Sequence, residues 1–534
     1  IGSITKSISY AYNLDGSVAS VTYPSGRVIS YDVTGAGRPN YAKDLANGIN
    51  YALSTTYAPQ GAVSSALEGQ SGGFGGITWS ASYNNRLLPT SFAATSTNGT
   101  ALNLAFSYFA NGNVSAVTNN RDTSRTQTFT YDNLDRLATG QSQATSGGNC
   151  WGHSFGYDRY ANLTSISVTK CSAPMLSLSV NTQNRITNSG FTYDNAGNMT
   201  SDGVSSYSWN AENRLTSTAG VTYTYDGDGR RVEKSNEKLF WYGVNGEELF
   251  ETDLSGNLIA EYIYLSGRVI ARRDAAGAVY YFFADHLGSL RVITNATGQI
   301  QRDADFYPYG GERLVSGTLD DPHKFAGMEY ESESGLYRTL YRQYSPTLGR
   351  WLSADPLGNC SGSCGGGTKS IFSVMPDFGE TLGCTGSCGQ AGALASPVRI
   401  GSGQHACTSN PQSLNLYAYV LNNPANLADP SGGYTLPACF FPNCSLARRG
   451  NWGLPLCFAC YTCCLNMSGR SFGDCMRRCF FLPSWWWWWW PCVWNCVSHL
   501  YANISYCSYN FARCLTGTSG SGRVYVACCY PPPF

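Results

Sequence analysis

The chain has 534 residues, of which 13% are charged, with 35 basic and 35 acidic side chains and a formal net charge of zero. Typical soluble domains carry about 25% charged residues, and a neutral chain offers no basic surface to serve nucleic acid as a general partner. Its 36 tyrosines and 59 glycines, with abundant Asn, Ser and Thr, fit a polar, turn-rich β protein and argue against a helical one.

The first residues, IGSITKSISYAYNLDGS, already follow a strand-turn pattern, without Met, basic n-region or apolar h-region. The expectation is a fragment or processed piece whose N-terminus is missing and whose export route is not written in it. Cysteine usage is lopsided. Only Cys150 and Cys171 precede residue 360, whereas the rest of the 21 cysteines lie from Cys360 onward. Such density argues for an oxidising destination and a disulfide-held module, with zinc as the competing reading.

From residue 11 to 232 a degenerate unit recurs: aromatic-x-Tyr-Asp-x-x-Gly/Asp-Asn/Arg-aliphatic. It reads FTYDNLDRL at 129–137, FGYDRYANL at 155–163, FTYDNAGNM at 191–199, YSWNAENRL at 207–215 and YTYDGDGRRV at 223–232. AYNLDGSV at 11–18 and SYFANGNV at 107–114 are weaker copies. The Tyr-x-Tyr alternation puts both rings on one face of a strand. Asp-x-x-Gly supplies a turn that tolerates positive φ, and the aliphatic residue starts the returning strand. Hairpins of this kind bury little alone and must stack on neighbours. Propeller blades would need longer and more regular units, about 40–45 residues.

The segment 280–358 is the most distinctive. YYFFADHLGSLRVITNATGQIQRDADFYPYGG leads into KFAGMEYESESGLYRTLYRQYSPTLGRWLSADPLG. With the repeats, it resembles the RHS/YD-repeat proteins and their RHS-repeat-associated core domain, a group spanning polymorphic toxins, toxin-complex C subunits and teneurin-like shells. The resemblance implies an all-β fold, in which a YD-repeat β-hairpin strip spirals into a hollow shell around a variable C-terminal segment. Residues 1–276 would be the repeats, N-terminally incomplete, and 277–432 the core domain. Residues 433–534 would be the variable module. A shell segment this short is expected to fall short of closure. His286, in ADHLGS, is read as structural, although its ordinary pKa suits a catalytic base.

Two Asp-Pro-x-Gly segments, DPLG at 355–358 and DPSG at 429–432, mark the seam. Two carboxylates forced together cannot both ionise cheaply, which places a general acid and a general base in one site. Members of the resembling family use such a pair for aspartyl self-cleavage. Carried over by motif, Asp355 and Asp429 would be the pair and Arg350 would orient or charge-balance them. Pro424 and Pro430 would stiffen the approach. Two departures stand out. Gly433, followed by Tyr434, occupies the place of the family's Leu, after which cleavage falls, and a Cys/Gly-rich insertion at about 359–410 separates the pair. Both segments also suit plain turns.

After Asp429 come fourteen cysteines, six consecutive tryptophans and one acid, Asp474. Cys460, Cys464, Cys475 and Cys479 are matched 32 residues later by Cys492, Cys496 and Cys507, with Phe511 in the fourth place and Cys514 nearby. Residues four apart share a helix face, so each copy reads as a helical hairpin held by disulfides, with Cys460–Cys479 and Cys464–Cys475 as one pairing. An all-cysteine zinc site is the alternative. The run Trp485–Trp490 between Pro483 and Pro491 suits a membrane interface, but the prolines interrupt any spanning helix, and membrane contact ranks below packing in a shell lumen. No cofactor is expected. With His499 its only histidine, the module offers no hydrolytic constellation.

The sequence thus predicts a secreted or surface shell protein carrying its own C-terminal segment as cargo. Secretion machinery or an immunity protein would be its partners, and nucleic acid would not. A surface adhesion protein with a disulfide-rich tip and a membrane-active effector are the alternatives.

Overall fold

The structure, a computed structural model, describes residues 1–356, 412 and 415–433 and the backbone of 436–437. The chain divides into two compact units, Ile1–Cys444 and Ser445–Phe534, and every described residue belongs to the first. The cysteine module, the tryptophan run and the insertion at 359–410 lie outside the described residues.

The described chain is all-β, with short 3₁₀ turns such as Thr123–Arg125, Phe325–Gly327 and Val420–Asn422 and no α-helix among the described residues. Within each sheet the strands follow one another as an antiparallel meander. A 15-stranded sheet runs from Ser9–Tyr12 to Leu176–Ser177, and a 12-stranded sheet from Tyr207–Trp209 to Glu312–Gly317. The second sheet passes residue 277 within the hairpin Arg268–Asp274 / Val279–Ala284.

One turn builds most of these hairpins. In the repeat at 129–137, Asp135 N donates to Asp132 O at 3.0 Å and Asp132 N to Arg136 O at 2.9 Å. This is a type I turn, a left-handed residue and a bulge. The turn's first side chain caps it: Asp132 Oδ1 accepts from Leu134 N at 2.9 Å and Arg136 N at 3.0 Å. The fourth position carries positive φ, supplied by Gly229 (81°) or by Asp135 (59°) and Asn213 (59°). That is why the repeat alternates glycine with Asp or Asn there.

The tyrosine before each turn reaches back to the preceding hairpin. Tyr131 Oη donates to Val114 O at 2.8 Å, Tyr157 Oη to Leu137 O at 2.7 Å and Tyr225 Oη to Leu215 O at 2.7 Å. Each acceptor is the residue that follows the previous turn. In the copy YSWN, Trp209 Nε1 makes the same bond to Met199 O at 2.7 Å. The fifth turn position completes the grip. Where it is arginine, it lies over the next tyrosine: Arg136 over Tyr157 at 4.6 Å and Arg185 over Tyr193 at 5.6 Å. Where it is asparagine, it reaches the next left-handed residue: Asn113 to Asp135 at 2.8 Å, Asn162 to Asn184 at 2.9 Å and Asn198 to Asn213 at 2.7 Å. The repeat letters are therefore contacts between hairpins as well as turn formers.

The strip also winds beside itself. Tyr23 Oη meets Tyr262 O at 2.8 Å, Tyr57 Oη meets Ser266 Oγ at 2.7 Å, Asn98 Nδ2 meets Thr297 O at 2.7 Å and Tyr157 Oη meets Tyr309 Oη at 2.9 Å. Along these contacts the first pass advances from Tyr23 to Tyr157 while the second advances from Tyr262 to Tyr309. A single buried cluster joins both passes, from Tyr23, Trp79 and Phe106 to Phe283 and Phe306, and extends to Phe325, Tyr344 and Tyr419. Cys150 and Cys171 form a disulfide beside the hairpin Trp151–Tyr157 / Leu163–Cys171.

Candidate active site at the aspartate pair

The site lies at the end of the coil, on a small four-stranded sheet, Glu329–Glu331, Leu336–Arg338, Gln343–Ser345 and Arg350–Trp351. The segment 415–433 returns onto this sheet. Trp351 N donates to Tyr417 O at 3.0 Å, Asp355 N to Leu416 O at 3.1 Å and Tyr341 N to Ser431 O at 3.1 Å. Beneath the junction Tyr344, Tyr419 and Trp351 pack together, with ring centroids 4.3 Å apart for Tyr344–Tyr419 and 5.4 Å for Tyr344–Trp351.

Asparagines bind the returning segment to hairpin tips of the first sheet. Asn415 Nδ2 donates to Tyr160 O at 3.1 Å and Asn162 Oδ1 at 2.8 Å, and Asn422 Nδ2 to Ala161 O at 2.8 Å. Asn426 Oδ1 accepts from Val114 N at 2.6 Å, and its Nδ2 donates to Tyr131 Oη at 2.9 Å. The buried ring of His286 meets Ala425 O through Nε2 at 2.9 Å, and burial pushes its pKa down. It holds this segment in place, a structural role.

Asp355 and Asp429 come together across one arginine. Arg342 Nη2 lies 3.2 Å from Asp355 Oδ2 and 3.1 Å from Asp429 Oδ2. The two carboxylate oxygens share one nitrogen, although the residues that carry them stand 74 positions apart in sequence. Arg342 also donates through Nη1 to Leu416 O at 3.2 Å and through Nε to Gly432 O, and its guanidinium stacks over Trp351 at 4.2 Å. Burial pushes its pKa down, against the pull of Asp355 and Asp429. Asp429 binds its own downstream backbone: Oδ1 accepts from Gly432 N at 2.8 Å, Gly433 N at 3.2 Å and Ser431 Oγ at 3.1 Å. The Asp429 side chain is 2% exposed and that of Asp355 22%.

Arg350 stands elsewhere. It donates to Asn184 O at 2.5 Å, and its guanidinium lies over Tyr417 at 4.9 Å. The arginine between the aspartates is Arg342 of LYRQYS. Its signal in the sequence was a cation set among strand aromatics, which burial makes costly without a partner.

A strip of YD hairpins wound on itself and sealed by an aromatic-rich core sheet defines a YD-shell protein. The chain belongs to the teneurin YD-shell family, which it matches over residues 70–359, more than half its length. Curated relatives include tRNA nuclease WapA of Bacillus subtilis (strain 168), 29% identical over 247 residues, covering 41% of this chain and 10% of that protein. Toxin subunit YenC1 of Yersinia entomophaga is 29% identical over 197 residues, covering 29% of this chain and 20% of that one. Teneurin-1 of Gallus gallus is 24% identical over 266 residues, 42% of this chain and 10% of that protein. Among solved structures, the TcdB2-TccC3-Cdc42 assembly superposes with a TM-score of 0.61 at 21% identity, over 83% of this chain and 22% of that one. The chain thus spans only 10% to 20% of the length of these curated relatives.

Proposed function

We propose that this chain is part of a toxin-type YD shell that holds the segment 433–534 as cargo, acts outside the cell that makes it, and separates from the cargo by aspartyl self-cleavage. The shared contact of Asp355 and Asp429 with Arg342 carries this reading. Two carboxylates against one guanidinium leave a surplus negative charge that a single shared proton removes. The pair then holds an acid and a base at once. The names of its relatives, a tRNA nuclease and a toxin subunit, support a toxin context.

Mass spectrometry of the purified chain is the test. The 57.8 kDa species should give way to a shell fragment and a C-terminal fragment on incubation. Asp355→Asn and Asp429→Asn should each abolish this. An intact wild-type chain after prolonged incubation sinks the self-cleavage reading. The cargo role is checked by limited proteolysis: residues 433–534 should resist protease until the shell is denatured.

A further inference from the structure

We propose that the Cys150–Cys171 disulfide is a site of thiol–disulfide exchange, opened at Cys171 by a small thiol, and that its opening loosens the contact between the two passes of the strip. The bridge closes the open end of a hairpin. Cys171 ends the strand Leu163–Cys171 and pairs with Trp151, the residue after Cys150. The two halves differ in access. Cys150 is buried, whereas Cys171 is exposed and has a φ of +53°. A thiolate must reach a sulfur to exchange with it, and Cys171 offers the accessible one. The left-handed backbone at Cys171 is strained for a residue with a Cβ, and opening the bridge frees it to relax.

The bridge also ends a loop. Residues 143–150, QATSGGNC, join the strand Leu137–Ser142 to the strand Trp151–Tyr157. Residues 145–148 are exposed, and a Cβ on either Gly147 or Gly148 would meet nothing within 4 Å. Such a glycine-rich stretch gains much conformational entropy on release, and a cross-link at its end limits that gain.

This loop holds the turn that carries Arg125. Asn149 Nδ2 donates to Asp122 Oδ2 at 3.2 Å and to Ser124 Oγ at 2.9 Å. Ala144 N donates to Ser124 O at 3.0 Å and Gln143 N to Thr126 O at 2.7 Å. From this turn Arg125 reaches Asp303 and Asp305 on the second pass. The loop meets the second pass directly as well. Arg313 Nη2 donates to Gly148 O at 2.6 Å, and Arg313 Nη1 lies 3.7 Å from Asp305 Oδ2. Gly148 and Asn149, which make these ties, are the two residues before Cys150. Freeing Cys150 therefore slackens the support of both arginines that face Asp305.

The exchange balances with two equivalents of thiol. The first, as thiolate, bonds to Cys171 Sγ, the S–S bond breaks, and Cys150 leaves as a thiolate that takes a proton from water. The second thiolate bonds to the external sulfur of this mixed disulfide and releases Cys171, which is protonated in turn. The protein disulfide is reduced to two thiols, and the two small thiols are oxidised to one disulfide. An oxidising medium keeps the bridge closed and a thiol-rich compartment opens it.

Reduced glutathione, added to the oxidised full chain, is the probe. Samples quenched by alkylation over a time course should carry the first adduct on Cys171, with Cys150 as the free thiol. Amide hydrogen exchange, read by mass spectrometry, should speed about tenfold or more across 119–126 and 303–305, the scale of local opening that loss of a cross-link brings. Exchange across 207–232 should stay at its untreated rate. The double variant Cys150→Ala/Cys171→Ala, without thiol, should show the same pattern, which separates this bridge from the other cysteines of the chain. Thiol-treated wild type decides the outcome even where that variant does not fold. A first adduct on Cys150, or a bridge left intact, overturns the exchange site. Faster exchange confined to 143–150 overturns the link to Arg125, and equally faster exchange through every strand overturns it too.

Discussion

Arg125 holds Asp305, 180 residues away, through two parallel hydrogen bonds, Nε to Oδ2 at 2.8 Å and Nη2 to Oδ1 at 2.9 Å. The same guanidinium takes both oxygens of Asp303, at 2.7 and 2.9 Å. Burial would raise the pKa of Asp305, but Arg291 and Arg125 outweigh it and hold it below the usual carboxylate range. This cluster clasps the first pass of the strip to the second.

Arg125→Met should therefore cost about 3–5 kcal/mol, because it leaves two buried carboxylates short of their partner. Arg125→Lys should recover only part of that, since an ammonium cannot make the doubled fork. Urea unfolding followed by tryptophan fluorescence measures both. A lysine variant as stable as wild type would show that the clasp is a matter of charge alone.

The repeat tyrosines make a second prediction. Tyr225→Phe keeps the ring under Arg214 but removes the hydrogen bond to Leu215 O. A part-buried carbonyl loses its donor, so the cost should be about 1–2 kcal/mol. Tyr160→Phe alters an exposed ring at a hairpin tip and should cost almost nothing. Equal midpoints for the two variants in chemical denaturation would refute the bond between hairpins.

The strand period and turn chemistry of the repeats were legible in the sequence because both are local. FTYDNLDRL states its turn, its bulge and its returning strand within nine residues. What the tyrosine hydroxyl binds was not legible, since Val114 and Tyr131 meet only once two hairpins lie side by side. The candidate site divides in the same way. Asp355 and Asp429 stood out through their motifs, and the structure sets both on one nitrogen. Arg342 was hidden because its partners come from positions 355, 416, 429 and 432, brought together by the returning segment. Arg350 lies nearer Asp355 in sequence, yet strand alternation turns it toward Asn184 and Tyr417.

The asparagine contacts between turns make a third prediction. Asn213 pays for its φ of +59° and accepts from Asn198 at 2.7 Å. Asn213→Gly relieves the backbone but loses the contact, so the two effects should offset to within about 1 kcal/mol. Asn213→Ala keeps the strain and loses the contact, and should be the less stable by roughly 1 kcal/mol or more. Thermal unfolding of both variants checks the order, and alanine equalling glycine would overturn it.

Glu68 gives the shell a pH dependence whose sign can be worked out. Its carboxyl is fully buried, and burial pushes its pKa from 4.5 up to about 7 although Arg268 Nη2 lies 3.1 Å away and opposes the shift. The unfolded chain releases this proton near 4.5 and the folded chain keeps it to about 7. Between those values the native state binds a proton that the unfolded state lacks, so stability falls as pH rises. The contribution is complete below about 4.5 and gone above about 7, and amounts to at most about 3 kcal/mol. Glu68→Gln is neutral at every pH and should flatten that slope, leaving the variant more stable than wild type by about 1–3 kcal/mol at pH 8. Arg268 tolerates the change because its guanidinium is partly exposed and lies over Trp79 at 4.4 Å. Denaturation midpoints from pH 4 to 9 provide the measurement, and an unchanged slope in the glutamine variant would assign the effect to another group.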